Sequence, residues 1–272
     1  MAEHELPLGR AVAYDAVYDS DLLYPIARAV DRRAGADGVE LPMHGWDAWN
    51  AYELSWLDAG GKPIVAWGEF WVPATSPNIV ESKSFKLYLN SLNQHRFATI
   101  AVLQDALERD LARCAGARVQ VNIHLPADWS TLTPSAPVGR CLDDLPLQIE
   151  HYQPAPHLLR LRSERVVEER LYSRLLRSCC PVTGQPDWAT LQIDYRGPEI
   201  DGAGLLAYII SFRQHQDFHE QCVERVFRDI QQFCSPERLA VYGRYLRRGG
   251  LDINPYRSTG AERPPNLRCQ RQ

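Results

Sequence analysis

A chain of 272 residues with 45% hydrophobic content can bury one large core or two of ordinary domain size, which excludes intrinsic disorder. A net charge of −4 argues against nonspecific nucleic-acid binding, because phosphate contacts need a basic excess. No stretch approaches the ~18 unbroken apolar residues of a membrane span, and Met1-Ala2-Glu3-His4-Glu5-Leu6 lacks the basic and apolar regions of a secretory signal; the expectation is a cytoplasmic protein without membrane or nucleic-acid partners.

In chain order, residues 1–45 have little periodicity and read as an N-terminal arm, extended with one short helix. Alternating Tyr52, Leu54 and Trp56, then Ala59-Gly60-Gly61-Lys62, then an apolar run from Ile64 to Val72 predict a β-hairpin. Residues 83–92 and 96–114 predict two helices, the second through Ile100, Leu103, Leu107, Leu111 and Cys114 at spacings of three and four. Gly116 is a stop signal, and Arg118 to Leu125 alternates as a strand. Prolines 126, 134, 137, 146, 154 and 156 mark a linker.

The second half repeats this outline. A strand is predicted at Thr190 to Tyr195, a helix at Gly204 to Phe212, and a longer helix from about Asp217 to Cys234, amphipathic through Val223, Val226, Phe227, Ile230 and Phe233. A strand at Arg238 to Leu246, a turn at Gly249-Gly250 and a strand at Leu251 to Ile253 follow. An antiparallel sheet followed by two consecutive helices, twice over, is α+β order rather than alternating βαβ. The expected division is arm 1–45, first domain 46–127, linker 128–156 and second domain 157–272.

Chemistry-bearing residues concentrate in four places. Cys180-Pro181-Val182-Thr183-Gly184-Gln185-Pro186-Asp187-Trp188 sets a thiol and a carboxylate on a stiff, non-helical loop, which suits a nucleophile with a proton relay. A free thiol with pKa near ~8.5 is only a few per cent thiolate at neutral pH, so Cys180 needs such a base; a packed cysteine and a turn-forming aspartate are the bland alternatives. Phe218-His219-Glu220 opens the long helix, where Glu220 suits either the helix dipole or a guanine-like base edge. Glu81-Ser82-Lys83-Ser84-Phe85-Lys86-Leu87-Tyr88 reads as a helix N-terminus capped by Ser82 or Ser84, or as an anion site. Arg244, Arg247 and Arg248 precede Gly249-Gly250 as a second positive turn.

Gly202-Ala203-Gly204-Leu205-Leu206-Ala207 matches a dinucleotide GxGxxA fingerprint, but six residues separate it from the preceding strand and a second helix follows it, so it reads as an ordinary glycine-rich helix start. The seven cysteines are odd in number and lack CxxC spacing, and the eight histidines show neither HxH nor HExxH. Reduced thiols and no metal are expected.

Together these segments resemble the NADPH-dependent 7-cyano-7-deazaguanine reductases, the QueF family, in its long two-half form. Glu81 to Tyr88 resembles the family's signature motif, Cys180 to Trp188 its nucleophile loop, Phe218-His219-Glu220 its substrate segment and Arg247-Arg248-Gly249-Gly250-Leu251-Asp252 its second cofactor segment. The resemblance implies two tandem tunnelling-fold domains in a homodimer, reducing a deazapurine nitrile to a primary amine with two NADPH in queuosine tRNA biosynthesis. It implies Cys180 as nucleophile forming a thioimide and Asp187 as proton donor. It places Val80, Glu81, Ser82, His219 and Glu220 on substrate, and Ser82, Lys83, Arg248 and Gly249 on NADPH. A reversible disulfide between Cys180 and Cys222 is a further expectation, Cys222 lying one helical turn from His219.

Other classes compete. An amidinotransferase or nitrile hydrolase would share the thioimide without needing Lys83 and Arg248, whereas a non-catalytic purine-binding module would keep Glu220 and survive loss of Cys180.

Overall fold

The computed structural model describes residues 17–28, 43–131 and 133–272, and it is mixed α+β, with four α-helices and ten strands among those residues. The described residues divide into two compact units. The first takes Asp47–Thr133 and Arg247–Asp252 with residues 17–28; the second takes Pro134–Leu246 and Ile253–Gln272 with residues 43–46. No helix is long and apolar enough to cross a membrane.

In the first unit, β1 (Pro25–Ala27) pairs antiparallel with β4 (Asn78–Val80). A 3-10 turn at Ser20–Leu22 precedes β1, and residues 1–16 and 29–42 of the expected arm lie outside the described residues. The predicted hairpin forms as β2 (His44–Leu57) and β3 (Pro63–Pro73), both longer than the alternation suggested. β3 pairs with β5 (Gln120–His124), giving the order β5-β3-β2. Helices α1 (Ser82–Ser91) and α2 (Ile100–Ala115) run between β4 and β5. Leu103, Leu107, Leu111 and Cys114 form the buried stripe of α2, and Gly116 closes it in the left-handed region.

In the second unit the strand order is β10-β9-β8-β7-β6, from β6 (Arg140–Cys141), β7 (Leu161–Cys179), β8 (Pro186–Ile200), β9 (Arg238–Tyr245) and β10 (Leu251–Ser258). Helices α3 (Gly202–Ser211) and α4 (His219–Cys234) separate β8 from β9. β7 was not expected, because its Arg- and Glu-rich sequence hides the inward series Leu171, Ser173, Leu176 and Ser178, interrupted by a register shift between Ser173 and Leu176. The α4 stripe runs through Val223, Val226, Phe227 and Ile230 to Cys234 rather than Phe233, which is 42% exposed. Helical geometry places Cys234, four residues beyond Ile230, back on the core face. These side chains pack with Leu205, Leu206 and Ile209 of α3 and with Leu191, Ile193 and Val241 of the sheet; each is worth ~1.5–3 kcal/mol on burial.

The two units correspond residue by residue. In α1 and α3 the tyrosine six residues past the first position donates to an aspartate ten residues into the next helix: Tyr88 to Asp110 at 2.9 Å, Tyr208 to Asp229 at 2.6 Å. Ser91 and Ser211, three residues later, donate to the carbonyls of those tyrosines at 2.7 and 2.6 Å. Both long helices end in a left-handed residue, Gly116 and Ser235.

The glycines of the GxGxxA segment now have a structural reason. A Cβ on Gly204 would stand 2.4 Å from the carbonyl oxygen of Leu158, so α3 needs bare backbone to pass that strand-side loop. The orphan N–H groups at its start are met by Asp201, whose carboxylate accepts from Ala203 and Gly204.

Burial also governs the core thiols. Cys222 is wholly buried near the Tyr245 hydroxyl; burial pushes its thiol up to about 12, with the neighbouring hydroxyl opposing. Burial likewise pushes Cys114 and Cys234 up to about 11. The folded chain thus holds these protons more tightly than the unfolded chain. That stability is intact below the unfolded pKa near ~8.5 and is lost as pH rises toward the folded values.

Two outcomes are expected. In urea denaturation Gly204→Ala lowers stability by ~1–3 kcal/mol, whereas Gly202→Ala, whose methyl meets nothing closer than 3.4 Å, changes it by about 0.5 kcal/mol or less. Repeated from pH 8 to 11, the same assay shows the stability advantage of wild type over Cys222→Ala shrinking with pH; a constant difference would mean that the native thiol titrates normally.

Candidate active site

The loop that carries Cys180 forms because the β7–β8 hairpin cannot close tightly across two prolines. The register pairs Ser178 with Asp187 and Cys179 with Pro186, which leaves Cys180 as the first residue past β7. Its N–H donates to the Gln185 carbonyl at 2.9 Å, and its carbonyl accepts from Gly184 at 2.9 Å. Gly184 makes that turn at φ +67°, a conformation costly for any side chain.

The two adjacent cysteines are thereby placed differently. Cys179 is the last residue of β7, bonded through its backbone to His215 and Asp217, and its thiol donates to the Arg213 carbonyl at 3.9 Å. Cys180 sits in the turn, 7% exposed. Two guanidinium groups lie over the Trp188 ring, Arg177 at 5.5 Å and Arg213 at 5.6 Å, which brings positive charge to this end of the hairpin.

Asp187, the second residue of β8, is buried, and its Oδ1 lies 3.1 Å from Nε2 of His219. His219 is the first residue of α4 and Glu220, also buried, the second. The helix start is fixed by Asp217 Oδ1, which accepts from the Phe218 N–H at 2.9 Å. One face of the His219 ring stacks on Tyr245, centroids 3.9 Å apart and planes 4° apart. His219 Nδ1 is buried with no hydrogen-bond partner among the described residues. Thiol, carboxylate and imidazole thus come from the end of β7, the start of β8 and the start of α4 of one unit.

The remaining expected residues, Val80, Glu81, Ser82, Lys83, Arg248 and Gly249, belong to the first unit. Glu81, rather than Ser82 or Ser84, is the N-cap of α1: its carboxylate accepts from Lys83 N at 2.9 Å and Ser84 N at 2.7 Å. The longer acid reaches both amides from outside the helix, while Ser84 Oγ turns back to the Glu81 carbonyl at 2.7 Å. Val80 is buried at the end of β4.

Arg248 and Leu251 bond to each other across Gly249 and Gly250, at φ +59° and +77°, the two-residue hairpin turn that glycine favours. The Gly250 carbonyl accepts from Tyr52 N at 2.9 Å, and Arg247 lies over the Tyr52 ring at 5.2 Å. The Lys86 stem passes 3.5 Å from where a Gly249 Cβ would stand. Sequence reading did not single out Lys86 over Lys83, and it passed over Tyr245, an apolar-strand tyrosine with no chemical signature.

The correspondence between the units reaches the site. Leu57 exchanges backbone bonds with His95 and Phe97 as Cys179 does with His215 and Asp217; Asp58 bonds to Lys62 and Gly61 as Cys180 does to Gln185 and Gly184. Asp58 therefore stands where Cys180 stands, Ile64 after Pro63 where Asp187 follows Pro186, and Ile100 where His219 opens its helix. Conversely Asp201-Gly202-Ala203 replaces Glu81-Ser82-Lys83. Neither unit carries both sets.

Comparison with known proteins matches two segments of the chain. A family described as nitrile reductase, 7-cyano-7-deazaguanine-reductase N-term, matches residues 14–123, and one described as QueF-like protein matches residues 186–264. The chain is 57% identical to the NADPH-dependent 7-cyano-7-deazaguanine reductase of Bordetella avium (strain 197N), over 98% of each chain. It is 55% identical to the reductase of that name from Desulfotalea psychrophila, over 98% of this chain and 97% of the relative, and 55% identical to that of Bordetella pertussis over the full length of both. Both segments matched, and the relatives matched from end to end, place the chain in the QueF family of NADPH-dependent 7-cyano-7-deazaguanine reductases.

Proposed function

We propose that this chain reduces the nitrile of 7-cyano-7-deazaguanine to the primary amine with two NADPH, through a thioimide on Cys180, in the cytoplasmic synthesis of queuosine. The observation that carries the mechanism is the Cys180 turn set beside the Asp187–His219 pair, in a chain 55–57% identical to reductases along its length. Two tandem tunnelling-fold domains, divided near 46–127 and 157–272 and assembled as a homodimer, are part of the same reading; the residue-level correspondence of the units supports the tandem arrangement.

A nitrile is linear and weakly polarised, so a nucleophile is needed to convert it into a more reducible C=N group. The Asp187 carboxylate takes the Cys180 proton, and sulfur attacks the nitrile carbon as a π pair moves to nitrogen. Asp187 returns the proton to that nitrogen, completing the thioimide. Glu220, in the first turn of α4, accepts from the ring N–H and exocyclic amine of the base, a paired contact worth ~1–3 kcal/mol in discrimination. Val80, Glu81 and Ser82 complete base recognition, Glu81 acting through the helix start that its carboxylate caps. After C–H bond formation, loss of the Cys180 thiolate leaves an imine, which burial protects from water.

The first unit fits a nicotinamide dinucleotide phosphate. The Arg248–Leu251 turn has glycine backbone at its tip with the Lys86 stem beside it, bare amide and cationic groups of the kind that hold phosphate. Ser82, Lys83, Arg248 and Gly249 would hold it, and NADPH bound there supplies the hydrides.

The test is intact mass after incubation with 7-cyano-7-deazaguanine and no NADPH. Wild type and Cys179→Ala gain one nitrile, Cys180→Ala gains none, and added NADPH discharges the adduct as amine. No adduct on any of the three would sink the covalent route. In turnover, Cys180→Ala loses on the order of a thousandfold or more, and Asp187→Asn about 10²–10⁴-fold.

A further inference from the structure

An imidazole that moves protons is useful only if its ring is held, and the His219–Asp187 contact fixes a single point of it. The ring could still swing about that point. Its second constraint is Tyr245, stacked on it at 3.9 Å with planes 4° apart and itself wholly buried. Together the edge contact and the covered face define the ring plane and its rotation within that plane.

Tyr245 is itself anchored at both ends of its residue. Its N–H donates to Asn254 Oδ1 at 3.2 Å, and its carbonyl accepts from Gln272 Nε2 at 3.1 Å. The same Gln272 amide nitrogen reaches Asn254 Oδ1 at 2.5 Å, while Gln272 Oε1 accepts from Arg244 at 2.9 and 3.1 Å and from Cys269 N at 2.9 Å. At the far end the phenol oxygen faces the Cys222 thiol and the Ser178 hydroxyl. The backbone is thus tied to β10 and the chain's last residues and the ring is wholly buried, which makes Tyr245 a fixed platform.

We infer that Tyr245 is a positioning residue, whose stacked ring holds the His219 imidazole so that Nε2 meets Asp187 and Nδ1 faces the reacting ligand. Nδ1 is the buried ring atom with no protein partner among the described residues, and burying a polar atom unmatched is costly unless a ligand meets it. With the Nε2 proton on the Asp187 side, Nδ1 is an acceptor toward the ligand. The N–H of the thioimide or imine formed from the nitrile is a group it would meet. The inference rests on the proposed reading of the site, because it assigns His219 a part in the same reaction.

Steady-state kinetics with pH profiles test it on Tyr245→Phe, Tyr245→Leu, Tyr245→Met, His219→Ala and the Tyr245→Leu/His219→Ala pair, each checked for cooperative thermal unfolding. Loss of ring alignment is expected to lower kcat roughly 10- to 100-fold in the Leu and Met variants, with KM within a few-fold and the pH profile altered as in His219→Ala. Tyr245→Phe keeps the stack and stays within about threefold, and the double variant is no slower than His219→Ala, since the two residues act as one unit. Should Tyr245→Leu not fold, Tyr245→Met carries the same comparison. A folded Leu or Met variant with full kcat beside a slow His219→Ala, or losses that multiply in the pair, overturns the role of Tyr245 alone. Full activity in His219→Ala, with no Cys180 adduct in the mass experiment, overturns the reading of the site and this inference with it.

Discussion

The register of β7 against β8 is the constraint on which the candidate site depends. Because Ser178 faces Asp187 and Cys179 faces Pro186, Asp187 is turned inward toward His219, while the chain leaves the strand one residue before Cys180. Side chains alternate along a strand, so a slip of one residue would send Asp187 to the opposite face and draw Cys180 into the pairing. Two features pin the register. Cys179 is bonded on both sides to the 215–217 segment, and the shift between Ser173 and Leu176 absorbs the mismatch upstream.

The same frame exists in the first unit with its chemistry removed. Asp58, Ile64 and Ile100 occupy the places of Cys180, Asp187 and His219, so that unit retains the turn, the hydrogen bonds and the helix start without thiol or imidazole. The second unit gives up the opposite set: Gly202 and Ala203 stand for Ser82 and Lys83, and Gly204 serves close packing against Leu158. Two corresponding units that divide the candidate site residues this way are each free of conflicting demands. A buried acid–imidazole pair and an exposed cationic turn need opposite degrees of solvation.

Much of this was legible in the sequence, for identifiable reasons. Helices α2 and α4 carry strong 3.6-residue periodicity, and the loop from Cys180 to Asp187 is marked by proline and glycine, so these elements and this loop could be read from residue type alone. β7 was not legible, since its arginines and glutamates look like a solvated segment and the irregular register breaks the alternation. The end of the α4 stripe went to Phe233 by hydrophobicity where geometry gave it to Cys234. Glu81 was read as a ligand group and Ser82 or Ser84 as caps, because local preference ranks serine above glutamate at that position and only the fold shows that the carboxylate reaches two amides. The duplication, visible as pattern, has an identity trace in Ser91-Leu92-Asn93-Gln94-His95 and Ser211-Phe212-Arg213-Gln214-His215, which becomes meaningful once both segments are seen to bond the same strand end.

The groups of the candidate site stand at the ends of elements: Cys180 just past β7, Asp187 second in β8, and His219 and Glu220 first and second in α4. Element ends are where backbone polar groups lack regular partners, so polar side chains can be buried there at less cost than in the middle of a sheet or helix. Directly behind them the apolar core begins with Leu176, Val223 and Phe227, rigid enough to keep the side chains from drifting by the ångström that would matter to proton transfer. The polar groups of the candidate site and the core packing are therefore kept three or four residues apart, Leu176 from Cys180 and Val223 from Glu220, and a single hydrophobic stripe in α4 serves both by seating the helix whose first turn presents the imidazole.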